Sequence, residues 1–161
     1  WFNHQYLIKK ENSELAVYLQ SVLNEKGITA DNAVVEKVAG LVKDRANLTT
    51  DLYTLADFFF VAPEKYDEKA SKNWKEDTSG LMQQVISVIE NVKNFEAKEI
   101  ESDIKNWIQE NELGMGKIMQ PLRIALVGEM KGPDLFEIIS VLGKAETTRR
   151  LNAAINNFKN I

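Results

Sequence analysis

The sequence predicts an all-α protein built from two consecutive helical subdomains. Apolar residues recur at three- and four-residue spacing along most of the 161-residue chain, which is the period of a helix with one buried face. No stretch shows the sustained apolar and polar alternation of a strand. A charged, proline-containing segment separates two groups of helices. We therefore assign residues 1–62 to a first helical subdomain, residues 63–77 to a linker and residues 78–161 to a second helical subdomain.

The first subdomain contains three predicted helices. The first ends before Gly27, because glycine commonly terminates helices. The second has Thr29 or Asp31 available as its N-cap, and the third has Thr49 or Thr50. The apolar stripes of the three helices are Leu15, Tyr18, Leu19, Val22 and Leu23, then Val34, Val38, Leu41 and Val42, then Leu52, Leu55, Ala56, Phe59 and Phe60.

Glycine and proline divide the second subdomain into further helices. Gly114 is predicted to stop a helix, and Pro121 to lie near the start of the next, where a missing N–H costs little. The pair Gly132 and Pro133 predicts a cap followed by the first helical residue, and Gly143 ends that helix. The apolar stripes are Leu81, Val85, Val88, Ile89 and Val92; Ile100, Ile104, Trp107 and Ile108; Leu135, Ile138, Ile139 and Leu142; Leu151, Ala154, Ile155 and Phe158.

The composition is that of an ordinary globular protein. The hydrophobic fraction is 44% and the charged fraction 27%, and no apolar run approaches the ~20 residues that a membrane span needs. The absence of cysteine excludes disulfides and fits a cytoplasmic protein, and the single His4 excludes a histidine metal cluster. Because the chain begins at Trp1 rather than at Met, we interpret it as part of a longer protein.

Charge is distributed unevenly along the chain. The net charge of −4 argues weakly against nucleic acid as a partner. Residues 114–161, however, hold 7 Lys and Arg against 4 Asp and Glu, whereas residues 1–113 hold 13 against 20. A modest phosphate-facing surface is therefore possible in residues 114–161, and a solvated charged face is the alternative interpretation.

No catalytic motif is present. The sequence has no Walker loop, no Gly-x-Gly-x-x-Gly and no Gly-x-Ser-x-Gly. The acidic residues of 96–103 lack the Glu-x-x-His partner of a di-metal helical site. We therefore expect neither catalytic nor metal-binding residues. The starts of helices could still bind a ligand, because their first N–H groups are unpaired and favour anions or other acceptors.

Two functions of other classes remain open at this stage. A DNA-binding helix-turn-helix could be formed by the helices that flank Gly143, with Asn152, Ala153, Asn156 and Asn157 on its recognition helix. The overall acidity disfavours this alternative. A helical protein-interaction module is the other alternative, and a large exposed apolar patch would support it.

One long stretch carries a specific resemblance. Residues 114–128 contain Gly-Lys, then Gln-Pro-Leu-Arg, then Ala-Leu and Gly; a Gly-Pro turn, Leu-Phe-Glu and Leu-Gly-Lys follow by residue 144. The opening residues 1–7 and the segment 42–60 add an aromatic-Asn-x-x-Tyr-Leu stretch and an Arg-then-Phe-Phe segment. This order resembles the C-terminal anticodon-binding region of bacterial-type glutamyl-tRNA synthetases, a family of class I aminoacyl-tRNA synthetases, in which a helical bundle or cage is formed.

The resemblance implies a role in recognition. The chain would bind the anticodon loop of tRNA(Glu), next to an N-terminal catalytic domain of the same parent protein. The family's His-x-Gly-His motif is absent, and Lys69-Ala70-Ser71-Lys72 matches its Lys-x-Ser-Lys loop only by chance, because no catalytic fold precedes it. The chain alone would therefore be no enzyme and hold no cofactor, whereas the parent ligase would use ATP and Mg²⁺. We expect a cytoplasmic monomer that does not bind membranes.

The resemblance also implies which residues bind the anticodon. In the family, an arginine of the first helical subdomain, the arginine of Gln-Pro-Leu-Arg and the residues before Phe-Glu contact anticodon bases. The matching positions are Arg45, Arg123, Gly132, Pro133 and Leu135. Weaker phosphate contacts are expected from Lys117, Lys131, Arg149 and Arg150.

Overall fold

The computed structural model describes the backbone of residues 2–159 and the side chains of residues 4–159. Within these residues the all-α prediction is confirmed: they form nine α-helices and one 3-10 turn, with no strand. Trp1, on which we based the inference of a longer protein, lies outside the described residues. The chain divides into two compact units, residues 1–61 and residues 62–161.

The first unit contains four helices and the 3-10 turn. They are α1 (Phe2–Lys9), α2 (Asn12–Glu25), α3 (Asn32–Val42), the 3-10 turn Lys43–Arg45 and α4 (Asp51–Phe60). Helix α3 packs against both α2 and α4. The predicted stripes supply most of the core, which includes Leu15, Leu19, Leu23, Val38, Val42, Leu52 and Ala56. The spacing of apolar residues therefore identified most of the buried faces, but Tyr18 and Val34, which we placed in the stripes, are exposed.

The two predicted N-caps of this unit differ in outcome. Asp31 caps α3, with its carboxylate accepting from the N–H of Ala33 at 2.9 Å. Thr50 occupies the N-cap position of α4, but its side chain makes no capping hydrogen bond. The Asp51 carboxylate instead accepts from the N–H groups of Asn47 and Leu48, at 3.0 and 2.9 Å. The acidic side chain thus stabilises the turn that precedes α4.

The second unit contains five helices. They are α5 (Glu68–Ser71), α6 (Thr78–Asn91), α7 (Ala97–Glu110), α8 (Met115–Val127) and α9 (Leu135–Asn157). Gly143 interrupts α9 with φ 82° and ψ 166°, so the predicted break at this residue is confirmed. Helix α9 packs against α6, α7 and α8. The core between them includes Val85, Ile89, Ile100, Ile104, Ile108, Ile118, Leu122, Ile138, Leu151 and Ala154.

Two proline positions were predicted wrongly. Pro121 lies inside α8 rather than near its start, because Gly114 is the N-cap and the helix begins at Met115. The helix therefore lacks the hydrogen bond that a residue other than proline would donate to the carbonyl of Lys117. Pro133 precedes α9 rather than beginning it, because Asp134 is the N-cap of that helix.

The segment that we assigned to a linker contains structure of its own. It includes α5 and the buried Trp74. The Trp74 ring stacks on the Phe158 ring with centroids 4.6 Å apart. The Tyr66 ring also contacts the Phe158 ring, at a centroid distance of 5.1 Å. These aromatic contacts attach Tyr66 and Trp74 to Phe158, the C-cap residue that follows α9.

Gly128 joins this segment to the end of α8. Its φ of 87° lies in the left-handed region that ends many helices. The Gly128 carbonyl accepts from the N–H of Asp67 at 2.9 Å. A Cβ at this position would lie 2.8 Å from the Pro63 Cβ and 3.0 Å from the Lys65 carbonyl oxygen. Close approach and backbone conformation therefore both require glycine here.

We expect Gly128→Ala to lower the free energy of unfolding by on the order of 2–4 kcal/mol, because left-handed strain adds to the clash with Pro63 and Lys65. Gly116→Ala is the matched control, since a Cβ there meets only ordinary contacts with Gln120 inside α8. The control should be neutral or stabilising by up to about 1 kcal/mol. Urea unfolding measures both, and equal stability of the two variants would contradict the close approach.

Candidate nucleic-acid interface

Arg45 stands on an anchored turn in the first unit. It is the last residue of the 3-10 turn that follows α3, and its side chain is exposed. The His4 Nδ1–H donates to the carbonyl of the next residue, Ala46, at 2.8 Å. On the other side, Lys43 Nζ donates to the carbonyl of Lys10 at 3.2 Å. The backbone of the turn is thus fixed to α1 and the residue that follows it. Among residues 4–159, no hydrogen bond or ion pair engages the Arg45 guanidinium.

Arg123 has a different environment in the second unit. Its side chain on α8 is half-buried. One terminal nitrogen donates to the carbonyls of Lys131 and Pro133, at 2.8 and 2.9 Å. Hydrogen bonds from a charged donor are stronger than neutral ones. Arg123 therefore ties the segment 131–133 to α8 and determines where the carbonyls of that segment point.

In the segment from Gly132 to Leu135, for which the resemblance implies base contacts, the two apolar side chains are not presented to solvent. Pro133 is buried and Leu135 is only 3% exposed, because both side chains face the core. Gly132 is half-buried with φ 102°. The exposed side chains of this region are those of Glu129, Met130 and Asp134, and Met130 is 47% exposed.

The start of α9 also has fewer free N–H groups than expected. The Asp134 carboxylate accepts from the N–H groups of Phe136 and Glu137, at 3.0 and 3.1 Å. These two amides are therefore occupied by the protein's own cap and do not need an external anion. The sequence contained a signal for this cap, because Asp134 and Glu137 have the spacing of a capping box.

Lys117 and Lys131 are accessible cations, and each has an acidic neighbour. Lys117 forms an ion pair with Asp77, and this hydrogen bond lowers the pKa of Asp77. Lys131 Nζ lies 3.8 Å from a carboxylate oxygen of Glu129. Such exposed pairs are weak and exchange readily with other partners. Both lysines thus stay candidates for phosphate contacts.

Arg149 and Arg150 share one carboxylate but differ in exposure. Arg149 bonds Glu146 through two nitrogens, at 2.8 and 2.7 Å, and its side chain is 59% exposed. Arg150 donates to the same carboxylate at 2.8 Å and to the Leu126 carbonyl at 2.8 Å, and it is 2% exposed. The predicted phosphate contact of Arg150 is therefore replaced by a structural role, because its guanidinium lies in the core and is bonded there.

The pKa values in this cluster follow from the same contacts. Hydrogen bonds from Arg149 and then Arg150 lower the pKa of Glu146 from 4.5 to about 2. Burial lowers the pKa of Arg150, whereas its bond to Glu146 opposes that change. Arginine remains charged in proteins, so the buried cation depends on this carboxylate.

We expect Glu146→Gln to alter how stability depends on pH. The folded-state pKa of Glu146 is depressed to about 2, so the stabilisation is complete above about pH 4.5 and is lost as the pH falls through about 2. The Glu146 side chain is 33% exposed, which limits this contribution to about 1–2 kcal/mol. The difference in unfolding free energy between wild type and variant should shrink toward zero over that interval, because protonated Glu146 leaves Arg150 without a charged partner in the wild type as well.

Glu101→Gln provides the control for this measurement, because Glu101 forms an exposed pair with Lys105 on α7. It should change stability by less than about 0.5 kcal/mol at any of these pH values. Urea unfolding at several pH values tests both variants. A difference for Glu146→Gln that stays constant with pH would contradict the depressed pKa.

The chain matches a known family over most of its length. Residues 14–155 match the model of a family described as anticodon binding domain. The chain therefore belongs to the anticodon-binding domain family.

Its relatives are glutamate–tRNA ligases. The chain is 49% identical over 156 residues to the glutamate–tRNA ligase of Flavobacterium johnsoniae and 44% identical over 156 residues to that of Porphyromonas gingivalis. These alignments cover 97% and 96% of the chain but 31% of each relative. A crystal structure of a glutamate–tRNA ligase from Elizabethkingia meningosepticum, in complex with its amino acid, superposes with a TM-score of 0.92 at 41% identity. That match covers 97% of the chain and 31% of the solved one.

These comparisons confirm the resemblance found in the sequence. The chain spans about a third of the length of its relatives, and the shared region is their anticodon-binding portion. No helix within the described residues is long and apolar enough to span a membrane.

Proposed function

We propose that this chain recognises the anticodon loop of tRNA(Glu) as one part of a glutamate–tRNA ligase. The observation that carries the proposal is the family match over residues 14–155, which includes both arginines that we assign to recognition. Proteins usually read RNA sequence at unpaired loop bases, whose edges are accessible. Arg45 and the segment bonded to Arg123 would each contact bases of such a loop.

In the first unit, Arg45 would read the third anticodon base, which is C in glutamate tRNAs. A guanidinium offers only donors, so it matches the O2 and N3 acceptors of cytosine. Guanine, which stands at this position in one class of glutamine tRNAs, would present its own N–H donors instead. The anchoring of the turn through Ala46 and Lys43 supports this role, because a fixed backbone reduces the entropy lost on binding.

In the second unit, base contacts would come from Arg123 and from main-chain groups near Gly132. The buried side chains of Pro133 and Leu135 would shape this segment from beneath. Lys117, Lys131 and Arg149 would supply phosphate contacts, which position RNA without reading its sequence. Arg150 is excluded from this set by its burial.

The wider setting follows from the relatives. The ligase chemistry, with its ATP and Mg²⁺, would belong to the part of the parent protein that this chain does not contain, including its N-terminal catalytic domain. The chain alone would then be inactive as a ligase. We also propose that it is monomeric and works in the cytoplasm, where tRNA is charged.

Arg123→Ala should weaken binding to a tRNA(Glu) anticodon stem-loop by about 1–3 kcal/mol, the range for one good base contact. Helical content should not change, but amide hydrogen exchange should accelerate at residues 131–135, because two carbonyl hydrogen bonds are lost. Lys159→Ala is the control and should do little. If Arg123→Ala unfolds the second unit without a selective loss of binding, the residue is purely structural and this site is wrong.

Arg45→Gln should relax the preference for C over G at the third anticodon base by about 1–3 kcal/mol, because glutamine offers an acceptor as well as a donor. Arg45→Lys keeps the charge but not the planar fork, so it should retain much of the affinity while losing discrimination. The measurement is the ratio of dissociation constants for stem-loops that differ only at this base, at one fixed salt concentration. An unchanged ratio in both variants would remove Arg45 from the site.

A further inference from the structure

A pocket that the proposed base contacts do not use lies in the second unit. It has a volume of about 580 Å³, within the range of small-ligand sites. One wall is α5 with the residues beside it, and the other is the loop that follows α8. The lining residues are Asp67, Lys69, Ala70, Lys72, Asn73 and Met130.

Main-chain contacts hold the two walls of this pocket together. The N–H of Asp67 donates to the Gly128 carbonyl at 2.9 Å, which joins the start of α5 to the end of α8. Trp74, just beyond the pocket, is buried against Phe158 at 4.6 Å. The pocket is therefore part of the folded unit rather than a gap beside a mobile linker.

The lining combines two cations, an amide and an apolar side chain. Lys69 and Lys72 are exposed and offer two cations, and Asn73 adds an amide that can donate or accept. The only acidic residue in the lining is Asp67, whose Oδ1 accepts from the N–H of Ala70 at 2.7 Å as the cap of α5. Met130, 47% exposed, supplies a polarizable apolar surface.

The pocket is also adjacent to the proposed reading segment. Met130 is followed directly by Lys131 and Gly132, and Arg123 fixes the carbonyl of Lys131. A nucleotide seated at Met130 would therefore neighbour a base read near Gly132. Phosphate binding by lysines is independent of sequence and positions the strand.

We propose that this pocket seats one nucleotide of the single-stranded tRNA loop, with Lys69 and Lys72 on its phosphate and Met130 against its base. The inference rests on the proposed function and extends it to a backbone-positioning site. It gives a role to Lys69-Ala70-Ser71-Lys72, whose match to a catalytic loop motif has no function here. Single-stranded RNA sites combine cationic grooves with surfaces for base stacking in this way.

The test uses the chain with a synthetic tRNA(Glu) anticodon stem-loop. Lys69→Ala with Lys72→Ala should raise the dissociation constant by on the order of tenfold at about 0.1 M salt. It should also reduce the slope of log K against log salt by about 0.7, as expected when one single-strand phosphate is no longer neutralised. Lys93→Ala with Lys98→Ala removes the same charge from exposed lysines outside the pocket and should leave both quantities nearly unchanged.

A second measurement locates the phosphate. Loop phosphates are replaced one at a time by neutral methylphosphonates, and one replacement should abolish the difference between wild type and the Lys69/Lys72 variant. Met130→Ala should weaken binding a fewfold, with the salt slope unchanged. The discrimination between C and G at the third anticodon base should be the same in all these variants.

The outcomes separate the pocket from the proposed function. If wild type does not bind the stem-loop, the proposed function fails. If wild type binds and Arg45 or Arg123 variants bind more weakly, but the Lys69/Lys72 variant equals wild type, the pocket is overturned alone. The pocket proposal would also be overturned if the Lys93/Lys98 control lost as much affinity as the Lys69/Lys72 variant. The same holds if the Lys69/Lys72 variant still bound more weakly than wild type with every methylphosphonate.

Discussion

The second unit depends on how the carbonyl groups at the end of α8 are satisfied. The last carbonyls of a helix have no partner within the helix. Here the Leu126 carbonyl accepts from the buried Arg150, and the Gly128 carbonyl accepts from the N–H of Asp67. One bond comes from α9 and the other from the segment that begins α5. The end of α8 is thereby the point at which three parts of the unit are joined, and the loop 129–134 leaves it in a defined direction.

Three arginines illustrate how burial divides one residue type between structure and recognition. Arg150 is 2% exposed, and it can be buried because Glu146 compensates its charge. Arg123 is half-buried and uses its donors on main-chain carbonyls of the neighbouring loop. Arg45 is exposed on a turn whose backbone is anchored on both sides. Arg150 is thus structural, Arg123 both holds a loop and stays partly accessible, and Arg45 presents its whole guanidinium on a rigid support.

The acidity of the chain and a role in RNA recognition are compatible because binding depends on local charge. Three acidic residues near the candidate interface are bonded within the protein: Asp134 caps α9, Asp67 caps α5 and Glu146 accepts from two arginines. Hydrogen-bond donors and cations around a carboxylate partly offset the repulsion that it exerts on an approaching phosphate. The net charge of −4 therefore does not describe the surface that RNA would meet.

The sequence by itself determined the fold class, most core positions and the family. Helical periodicity is a local property, so stripes such as Leu15, Leu19 and Leu23 could be identified without knowing what they pack against. The sequence did not determine which functional side chains are exposed to solvent. The burial of Pro133, the clamp formed by Arg123 on the loop carbonyls and the bond from Arg150 to the Leu126 carbonyl of α8 depend on contacts between different elements of the second unit. Only the tertiary structure decides these, because exposure and hydrogen bonding are set by packing partners that local spacing does not specify.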